Sequence, residues 1–378
     1  MSQKLSQIFS DVAIKDLVRV EIYGLGSDQH EINGNEALRD FFRTTEKLKS
    51  KITWHYFADD VEPEHEENTV TFYEGRGKKA HITGRAPEWR LYYSGSFIKR
   101  AKVGDRLVLA RTPAGDLHGL IFPKGSAFYR ASVALFRGSD SEEFELFESE
   151  RLGTRELALL ERSIIEKLQL GVVIPIEQSD LQLVLDKFGE QFPKTVVMSD
   201  FARKQVGDDH NDPDALLMAW VDREERLFRA LEGAIIGKQI KHGFDSIDEF
   251  ISFSLSVQNR RKSRMGYALQ HHLAAIFKLH DLRFKAQAKT EGGNTPDFIF
   301  PGEAEYHDPT FDSTLLLMLG VKSSAKERWR QILPEAGRIP TKHLCTLEPG
   351  ISMKQTTQMA SMHVQLVIPN PVHATYSD

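Results

Sequence analysis

The sequence contains very little cysteine. Cys345 is the only cysteine among 378 residues, which excludes a disulfide framework and a cysteine-rich zinc site and fits a reducing compartment. No apolar stretch approaches the ~18 residues that a membrane-spanning helix needs. The first residues, MSQKLSQIFSDVAIKD, lack the apolar core of an export signal. We therefore expect a cytoplasmic protein with no membrane partner.

An overall excess of positive charge is also absent. The chain has 49 Lys and Arg against 54 Asp and Glu, a net charge of −5, which argues against a protein that coats nucleic acid but leaves room for a local basic site. Basic residues are concentrated in 76–111, between the acidic segments 59–67 and 140–150. Neither GxxxxGK[ST] nor GxGxxG occurs, so the sequence gives no support for a nucleotide-driven motor or a dinucleotide enzyme.

The two halves of the chain differ in their hydrophobic pattern. Up to about residue 138, short alternating segments between turn signals predict a small β barrel or sandwich, interrupted by one helix near 35–50. The predicted strand segments include 18–24, 69–75, 90–97, 106–111 and 117–122. Residues 154–170 repeat apolar positions every three or four residues, which is typical of a helix.

The second half alternates helices with strands. Helices are predicted near 213–241, 246–257, 263–280, 325 and 352–362, and strands at 296–301, 315–321, 343–347 and 364–369. This alternation indicates an α/β layer with a mixed or parallel sheet. We predict a β-rich domain over 1–150, a helical connector over 151–190 and an α/β domain over 191–378.

Three residues near strand ends can form a site for phosphodiester hydrolysis. Asp297 opens one strand, Lys322 closes the next, and Glu335 lies on or after the following helix. If the two strands pair, these side chains can meet at one edge of the sheet. Carboxylates bind Mg²⁺, and a lysine can orient the attacking water or offset charge on phosphorus. On spacing alone, a turn, a surface aspartate and a solvated lysine are the better interpretation.

The surrounding sequence resembles a known family. The segments GFDSIDEF (243–250), SVQNRRKSRMG (256–266), TEGGNTPDFIFPGEAEYHD (290–308) and VKSSAKERWRQIL (321–333) resemble the catalytic domain of EcoRII-type restriction endonucleases, which are Type IIE enzymes of the PD-(D/E)XK nuclease superfamily. The N-terminal half is more diffusely similar to the effector-binding domain of these enzymes, a DNA-binding pseudobarrel. The resemblance implies a Mg²⁺-dependent endonuclease for a CCWGG-type site (W is A or T), with a second copy of the site bound as effector.

The resemblance also implies roles for individual residues. In this branch of the superfamily the second acidic ligand has moved to the next helix, so Asp297 and Glu335 become metal ligands and Lys322 the catalytic lysine. Gly320 occupies the position where other branches have an acid. Gln270 replaces a glutamate that is usual in the family, which makes a second metal ion less expected. Pro334 precedes Glu335 and is incompatible with a helix interior.

DNA contacts follow from the same resemblance. Lys326, Glu327 and Arg328 would read C·G pairs in the major groove, where Arg and Lys suit guanine and Glu accepts from cytosine. Tyr306 would stack on a flipped-out central base, with Arg223 as its partner and Arg226 as a nearly equal choice. Without the resemblance, a solvated helix face and a partly buried loop tyrosine are the simpler interpretations.

Two basic clusters are candidates for phosphate contact. One consists of Arg260, Arg261, Lys262 and Arg264, at a predicted helix start. The other, predicted to bind effector DNA in the N-terminal half, consists of Arg76, Lys78, Lys79, Arg85 and His30. Both are also consistent with ordinary solvated surface.

The predicted partner is double-stranded DNA, with Mg²⁺ as the only cofactor. A homodimer would supply two active sites for two strands, but a monomer that nicks each strand in turn stays open. Two other functions are considered: another PD-(D/E)XK nuclease with a repair or structure-directed role, and a DNA-binding regulator with an inactive nuclease fold. The basic segment 326–328 argues against the first, and the presence of Asp297, Lys322 and Glu335 argues against the second.

Overall fold

A computed structural model describes residues 5–25, 30–59, 64–76, 86–136, 141–148, 152, 165, 177–208, 211–326 and 328–376. They fall into two compact units, one within Gln3–Val173 together with Ala374–Asp378, and one within Ile174–His373. Most of the predicted connector, including nearly all of 154–170, lies outside the described residues, as do Lys78, Lys79, Arg85 and Glu327. The domain boundaries at 150 and 190 therefore stay a prediction.

The N-terminal unit is built on one eight-stranded sheet. Its strands are β1 (Asp11–Asp16), β2 (Glu31–Asn33), β3 (Leu48–Tyr56), β4 (Glu64–Glu74), β5 (Trp89–Tyr93), β6 (Arg106–Arg111), β7 (Leu117–Phe122) and β8 (Glu145–Glu148). Its helices are α1 (Leu5–Ile8), α2 (Glu36–Phe42) and α3 (Ala127–Phe136). The strand order is β2-β5-β4-β3-β7-β6-β1-β8, and every pairing is antiparallel except that of β3 with β7.

The middle of this sheet is covered on both faces. In β6, Leu107 and Leu109 belong to one hydrophobic cluster, whereas Val108 and Ala110 belong to another. Because successive side chains of a strand point to opposite faces, the two clusters lie on opposite sides of the sheet. A strand buried on both faces has a continuous apolar sequence rather than an alternating one, as the central LVLA of β6 does.

The predicted mostly-β character of this unit agrees with the structure, although closure into a pseudobarrel stays a prediction. The segments 106–111 and 117–122 coincide with β6 and β7. The strand predicted at 18–24 is wrong: Arg19–Glu21 form a 3₁₀ turn, in which the Glu21 carboxylate accepts a hydrogen bond from the Val18 N–H. A side chain that bonds nearby backbone N–H groups favours a turn over a strand.

The second unit combines helices with a five-stranded sheet. Its strands are β9 (Lys285–Ala286), β10 (Phe298–Phe300), β11 (Leu317–Val321), β12 (Lys342–Cys345) and β13 (Val364–Val367). Its α-helices are α4 (Gln178–Phe188), α5 (Thr195–Val206), α6 (Pro213–His242), α7 (Ile247–Leu279), α8 (Glu303–His307), α9 (Met353–Ser361) and α10 (Asn370–His373). β9, β10 and β11 pair antiparallel, whereas β11, β12 and β13 pair parallel, so the predicted mixed α/β sheet agrees with the structure.

Two long helices dominate the helical layer. α6 begins with Pro213 after the capping residue Asp212, and α7 begins after Ser246, whose hydroxyl accepts from the Glu249 N–H. The two predicted helices at 246–257 and 263–280 are one continuous helix. The residues between them, QNRRK, include no proline or glycine and therefore do not interrupt it. None of the helices in the described part of the chain is long and apolar enough to cross a membrane.

Candidate active site

The antiparallel pairing of β10 with β11 brings Asp297 and Lys322 together. Phe298 faces Leu319 in this pairing, so the residue before β10 lies beside the end of β11. The Lys322 Nζ is 3.9 Å from Asp297 Oδ2, and both side chains are largely buried. The strand ends therefore meet at one edge of the sheet, as the sequence predicted.

Hydrogen bonds fix both oxygens of Asp297. Oδ1 accepts from Gln270 Nε2 at 2.7 Å and from Gln287 Nε2 at 3.1 Å, and Oδ2 accepts from the Val321 N–H at 2.6 Å. Burial raises the pKa of Asp297, whereas Lys322 and the bonds from Val321 and Gln287 lower it. Gln270, at the position where a glutamate was expected, therefore orients the aspartate as an amide donor.

Gly320 leaves no room for an acidic side chain near the end of β11. A Cβ at this position would lie 2.7 Å from Ile332 Cγ2, so a side chain here would clash with the segment that packs against β11. That segment is a 3₁₀ helix, Trp329–Ile332, rather than the longer helix predicted from Ala325. It ends before Pro334, which lacks the N–H to continue it, and the Glu335 N–H bonds to Ile332 O at 3.1 Å.

Glu335 is partly buried and incompletely paired. Its Oε2 is buried and has no hydrogen-bond partner among the described residues. Burial is the largest influence on its pKa and raises it; Lys322 lowers the pKa and Asp297 raises it. The charges of Lys322 and Asp297 are thus close enough to act on the Glu335 carboxylate. An unpaired buried carboxylate oxygen is costly, and this is the kind of atom that a cation would satisfy.

The turn that carries Glu335 is held by Lys342. Ala336 has φ 48°, a left-handed conformation that is unfavourable for an L-residue with a side chain. The buried Lys342 Nζ donates to the carbonyls of Ala336 and Ile339, both at 2.6 Å. Burial lowers the pKa of Lys342, whereas Glu291 and Glu335 raise it. Lys342 is thus a positioning residue that sequence reasoning missed, and so is Gln287.

The acidic groups fit one hard cation better than a larger metal cluster. Asp297 and Glu335 offer carboxylate oxygens, which Mg²⁺ prefers, and Mg²⁺ normally keeps several waters. Among the described residues, no group of three or more His, Cys, Asp or Glu side chains is arranged to hold a metal. The number of metal ions stays a prediction.

The predicted base-reading segment is anchored by a glutamate from beyond β12. The Glu348 carboxylate accepts from the backbone N–H groups of Ala325 and Lys326 at 2.6 and 2.9 Å. Arg328 is exposed, and its Nε lies 3.4 Å from Gln331 Oε1. Glu327 lies outside the described residues. Glu348 is a third residue that no sequence motif indicated, because it acts through contacts distant in the chain.

The described contacts do not bring Tyr306 and Arg223 together. The Tyr306 ring is buried, and its hydroxyl donates to Glu291 Oε2 at 2.5 Å; burial and Glu291 raise its pKa to about 12. Arg338, from the turn after Glu335, bonds the Tyr306 carbonyl and lies over its ring. Arg223 pairs instead with Asp180 at 2.6 Å. The base-flipping role stays a prediction, and the structure gives Tyr306 a supporting place beside the Glu335 turn.

The basic cluster of α7 is divided between the interior and the surface. Arg264 is buried, pairs with Glu224 and Glu225, and lies over the Phe228 ring, which argues against a phosphate contact for it. The other three residues of the cluster are more exposed to solvent than Arg264. Arg261 binds Glu232 through two nitrogens, Arg260 lies over the Phe192 ring, and Lys262 is exposed.

In the N-terminal unit, two predicted effector contacts can be placed. Arg76 is exposed and donates to Glu88 at 2.8 Å and to the Ala86 carbonyl at 2.9 Å. His30 stacks on Tyr93, with the ring centroids 5.6 Å apart, and meets the Tyr23 ring edge-on at 4.9 Å. His30 thus lies between the exposed Tyr23 ring and the buried Tyr93 ring, and its contact with effector DNA stays a prediction.

Comparison with known proteins finds a family match for part of the second unit. Residues 228–378 match the family model described as EcoRII C terminal, which confirms for this region the resemblance drawn from the sequence. The Type II restriction enzyme EcoRII of Escherichia coli is 41% identical over 189 residues. The match covers 50% of this chain and 47% of that enzyme, so the chain spans about half the length of its curated relative.

Solved structures with partial similarity are also restriction endonucleases. Metal-depleted Ecl18kI in complex with uncleaved, modified DNA aligns with a TM-score of 0.42 and 18% identity, over 51% of this chain and 75% of the other. The PspGI–substrate DNA complex aligns with a TM-score of 0.39 and 15% identity, over 49% and 78% of the two chains.

Proposed function

We propose that this protein is a Type II restriction endonuclease that hydrolyses phosphodiester bonds of double-stranded DNA with Mg²⁺. The single observation that carries the proposal is the cluster of Asp297, Lys322 and Glu335 within the region that matches the EcoRII C-terminal family. A chance grouping of surface residues would leave these groups solvated. Here two acids and a lysine are withdrawn from water at the edge of a sheet.

Asp297 and Glu335 would hold the cation. The unpartnered Glu335 Oε2 would supply one ligand atom, and the Asp297 carboxylate, just before β10, would supply another. When bound, Mg²⁺ would polarise the scissile phosphate and lower the pKa of an attacking water. Gln270 and Gln287 keep the aspartate in a single orientation through their bonds to Oδ1, so little reorganisation is needed when the cation binds.

Lys322 would act on the phosphate directly. Its ammonium group lies 3.9 Å from Asp297 Oδ2 and lowers the pKa of Glu335, and it can offset the negative charge that develops on the phosphoryl oxygens. Because the site is largely buried, this interaction is stronger than it would be in bulk water. The lysine also reduces repulsion between the two acids before DNA binds.

Sequence recognition is assigned to residues 326–328, which directly follow the site. Arg328 is exposed and can reach guanine edges, while Glu348 fixes the backbone of the segment. The proposed target is a CCWGG-type sequence, because cation, acid and cation in a row suit adjacent C·G pairs. The N-terminal unit is proposed to bind a second copy of this site as effector, through Arg76, Lys78, Lys79, Arg85 and His30.

Plasmid cleavage tests the catalytic proposal. Purified protein with Mg²⁺ and unmethylated plasmid should give discrete fragments, and sequencing of their ends would identify the site. Asp297→Asn and Lys322→Met should each reduce the rate at least about a thousandfold, since each removes a group that contacts the metal or phosphate. Asp312→Asn changes an exposed aspartate of the same unit and should cut at the wild-type rate.

The outcomes separate the alternatives. Cleavage at branched or damaged DNA without sequence preference would indicate a repair or structure-directed nuclease. Specific DNA binding without cleavage by the wild type would indicate a regulator with an inactive nuclease fold. Near-normal cleavage by Asp297→Asn would show that the active site is wrongly assigned.

A further inference from the structure

A small cavity lies where the start of α5 meets α6 and α7. Its volume is about 230 Å³, which is below the ~300–1,000 Å³ of pockets that hold drug-sized ligands. Apolar side chains and two arginines line it, among them Phe192, Met198, Phe228, Arg260 and Arg264. The cavity therefore has room for a small molecule and combines apolar walls with two cations.

Both arginines lie over aromatic rings of the cavity wall. The Arg260 guanidinium carbon is 4.4 Å from the centre of the Phe192 ring. That of Arg264 is 4.1 Å from the centre of the Phe228 ring, and the centres of the two rings are 5.7 Å apart. A guanidinium group that lies over a ring keeps its N–H donors at its own edge, where they can still bind an acceptor. The wall thus holds two cations without occupying all their donors.

Each arginine has a buried nitrogen without a hydrogen-bond partner among the described residues. These atoms are Nη1 of Arg260 and Nε of Arg264, and Arg264 is only 6% exposed. A buried donor without an acceptor costs free energy, and most buried polar groups of folded proteins are paired. A small molecule in the cavity can supply the missing acceptor, whereas a DNA backbone would have to reach a side chain inside the protein.

The charges around the cavity favour an anion as that acceptor. Arg264 pairs with Glu224 and Glu225, and Glu225 also pairs with Arg229, so two carboxylates offset two guanidinium groups. Arg260 adds a third guanidinium group, which forms no ion pair within the described part of the chain. Water would satisfy the unpaired nitrogens but would leave this third charge without a counter-ion. An anion would do both.

The start of α5 adds to the positive potential. Thr195 is the first residue of this twelve-residue helix and lines the cavity. The preceding residue, Lys194, makes no side-chain hydrogen bond to cap the helix. The first N–H groups of a helix lack partners within the helix, and the helix dipole attracts negative charge to that end. An N-terminus beside two arginines is therefore suited to an anion.

We infer that this cavity is a binding site for a small carboxylate with a flat apolar body. The carboxylate would accept hydrogen bonds from Arg260 and Arg264, whose planar groups match its geometry, and the body would pack against the phenylalanine rings. A single uncompensated cation favours a monoanion over a phosphate monoester, which carries nearly two charges at neutral pH. The inference goes beyond the proposed function, because it holds whether or not the protein cuts DNA.

The first experiment measures the binding of benzoate, benzamide and acetate to the full-length protein, without DNA or metal, by ligand-observed NMR titration. Benzoate should bind saturably with a dissociation constant of about 1 mM or lower, which is within reach of a ligand of this size. Benzamide has a similar shape but no charge, and acetate has the charge without the ring. Each should bind about tenfold more weakly than benzoate or worse, because each lacks one feature that the cavity recognises.

Arg260→Gln tests whether the carboxylate binds this arginine. It should weaken benzoate binding by about tenfold or more and leave benzamide binding nearly unchanged, whereas a purely structural role would weaken both or neither. Arg283→Gln is the matched control, since it removes an arginine of the same unit whose side chain is 74% exposed. This control should bind benzoate as the wild type does, and circular dichroism should be the same for all three proteins.

Three results would overturn the inference: no saturable benzoate binding, benzamide or acetate binding as tight as that of benzoate, or normal benzoate binding by Arg260→Gln. Plasmid cleavage by the same samples bears only on the nuclease proposal. A protein that binds benzoate as expected and never cuts DNA would refute the nuclease proposal and leave this site standing. A protein that cuts DNA and does not bind benzoate would do the reverse.

Discussion

The two units each bury a lysine beside a carboxylate, and they do so differently. In the N-terminal unit, Lys15 Nζ lies 2.5 Å from Glu21 Oε1, and the glutamate also accepts the N–H groups of Asn33 and Val18 at 2.8 and 3.0 Å. In the second unit, Lys322 Nζ stays 3.9 Å from Asp297 Oδ2. There Glu335 keeps one buried oxygen without a partner among the described residues. The first pair is satisfied within the protein, and the second cluster is not.

This difference distinguishes a structural role from a functional one. Withdrawing a charge from water costs several kcal/mol unless hydrogen bonds and an opposite charge replace the solvent. The N-terminal pair links β1, the turn at Arg19–Glu21 and β2, so its charges hold elements of the sheet together. At the edge of the other sheet the cost is only partly offset, as expected if these groups hold a cation and act on a phosphate as proposed above.

Matched lysine-to-methionine variants give the largest contrast. Lys15→Met leaves Glu21 buried without its counter-ion and should lower the free energy of unfolding of the N-terminal unit by about 3–5 kcal/mol. Lys322→Met removes a partner that makes no close contact, so it should change the free energy of unfolding by about 1 kcal/mol or less. Urea unfolding of both variants measures the two effects. If both variants lost a similar free energy of unfolding, the lysines would have the same structural role in the two clusters.

The next prediction concerns two buried histidines of the N-terminal unit, which become charged only when the pH is lowered. His55 Nε2 and His118 Nδ1 lie 3.1 Å apart on the paired strands β3 and β7. Burial, then His118 and His65, lower the pKa of His55 to about 4; burial also lowers the pKa of His118, against the effect of Asp116. Both rings are therefore neutral in the folded protein at neutral pH.

The sign of the pH effect follows from the lowered pKa. In an unfolded chain His55 takes up a proton near the ordinary histidine pKa of 6.5, whereas in the folded protein its pKa is about 4. Stability is thus fully present above about pH 6.5 and is lost as the pH falls toward 4, by no more than about 3 kcal/mol. Urea unfolding at several pH values measures the slope. His55→Gln should flatten it, and an unchanged slope would exclude this pair as the cause.

The sequence predicted those parts of the site that depend on local pattern. Asp297 and Lys322 mark the ends of two apolar strands, and neighbouring strands with opposite directions bring such ends together. Glu335 could be assigned only through the family resemblance. Gly320 supported that assignment, because it occupies the position where other branches of the superfamily have an acidic residue. Gln287, Lys342 and Glu348 could not be predicted, because each acts through a contact that only the folded chain creates.

One error in the predicted fold also comes from a contact that only the folded chain creates. The strand predicted at 18–24 has an alternating pattern, but Glu21 turns inward to Lys15 and bonds the backbone at Val18 and Asn33. That tertiary contact outweighs the local preference for a strand. The break predicted between 257 and 263 is absent because the residues there include no proline or glycine that would interrupt a helix.

The smallest expected change in stability is that of Glu335→Gln, and it tests most directly whether this cluster differs in role from the Lys15–Glu21 pair. Burial raises the pKa of Glu335 more than Lys322 lowers it, so the charged carboxylate destabilises the protein when no cation is bound. Glu335→Gln keeps the shape and removes the charge, and should increase the free energy of unfolding by about 1 kcal/mol in a chelating buffer, as expected where a functional group is held at a cost in stability.

Added Ca²⁺ should stabilise the wild type but not the Glu335→Gln variant, because a cation that binds only the folded state stabilises it by mass action. Glu190→Gln, at an exposed glutamate paired with Lys238, should keep the wild-type response to Ca²⁺. If Glu335→Gln were less stable than the wild type in chelator, or gained as much from Ca²⁺, then Glu335 would belong with Glu21 as part of the fold and not with Asp297 as part of a metal site.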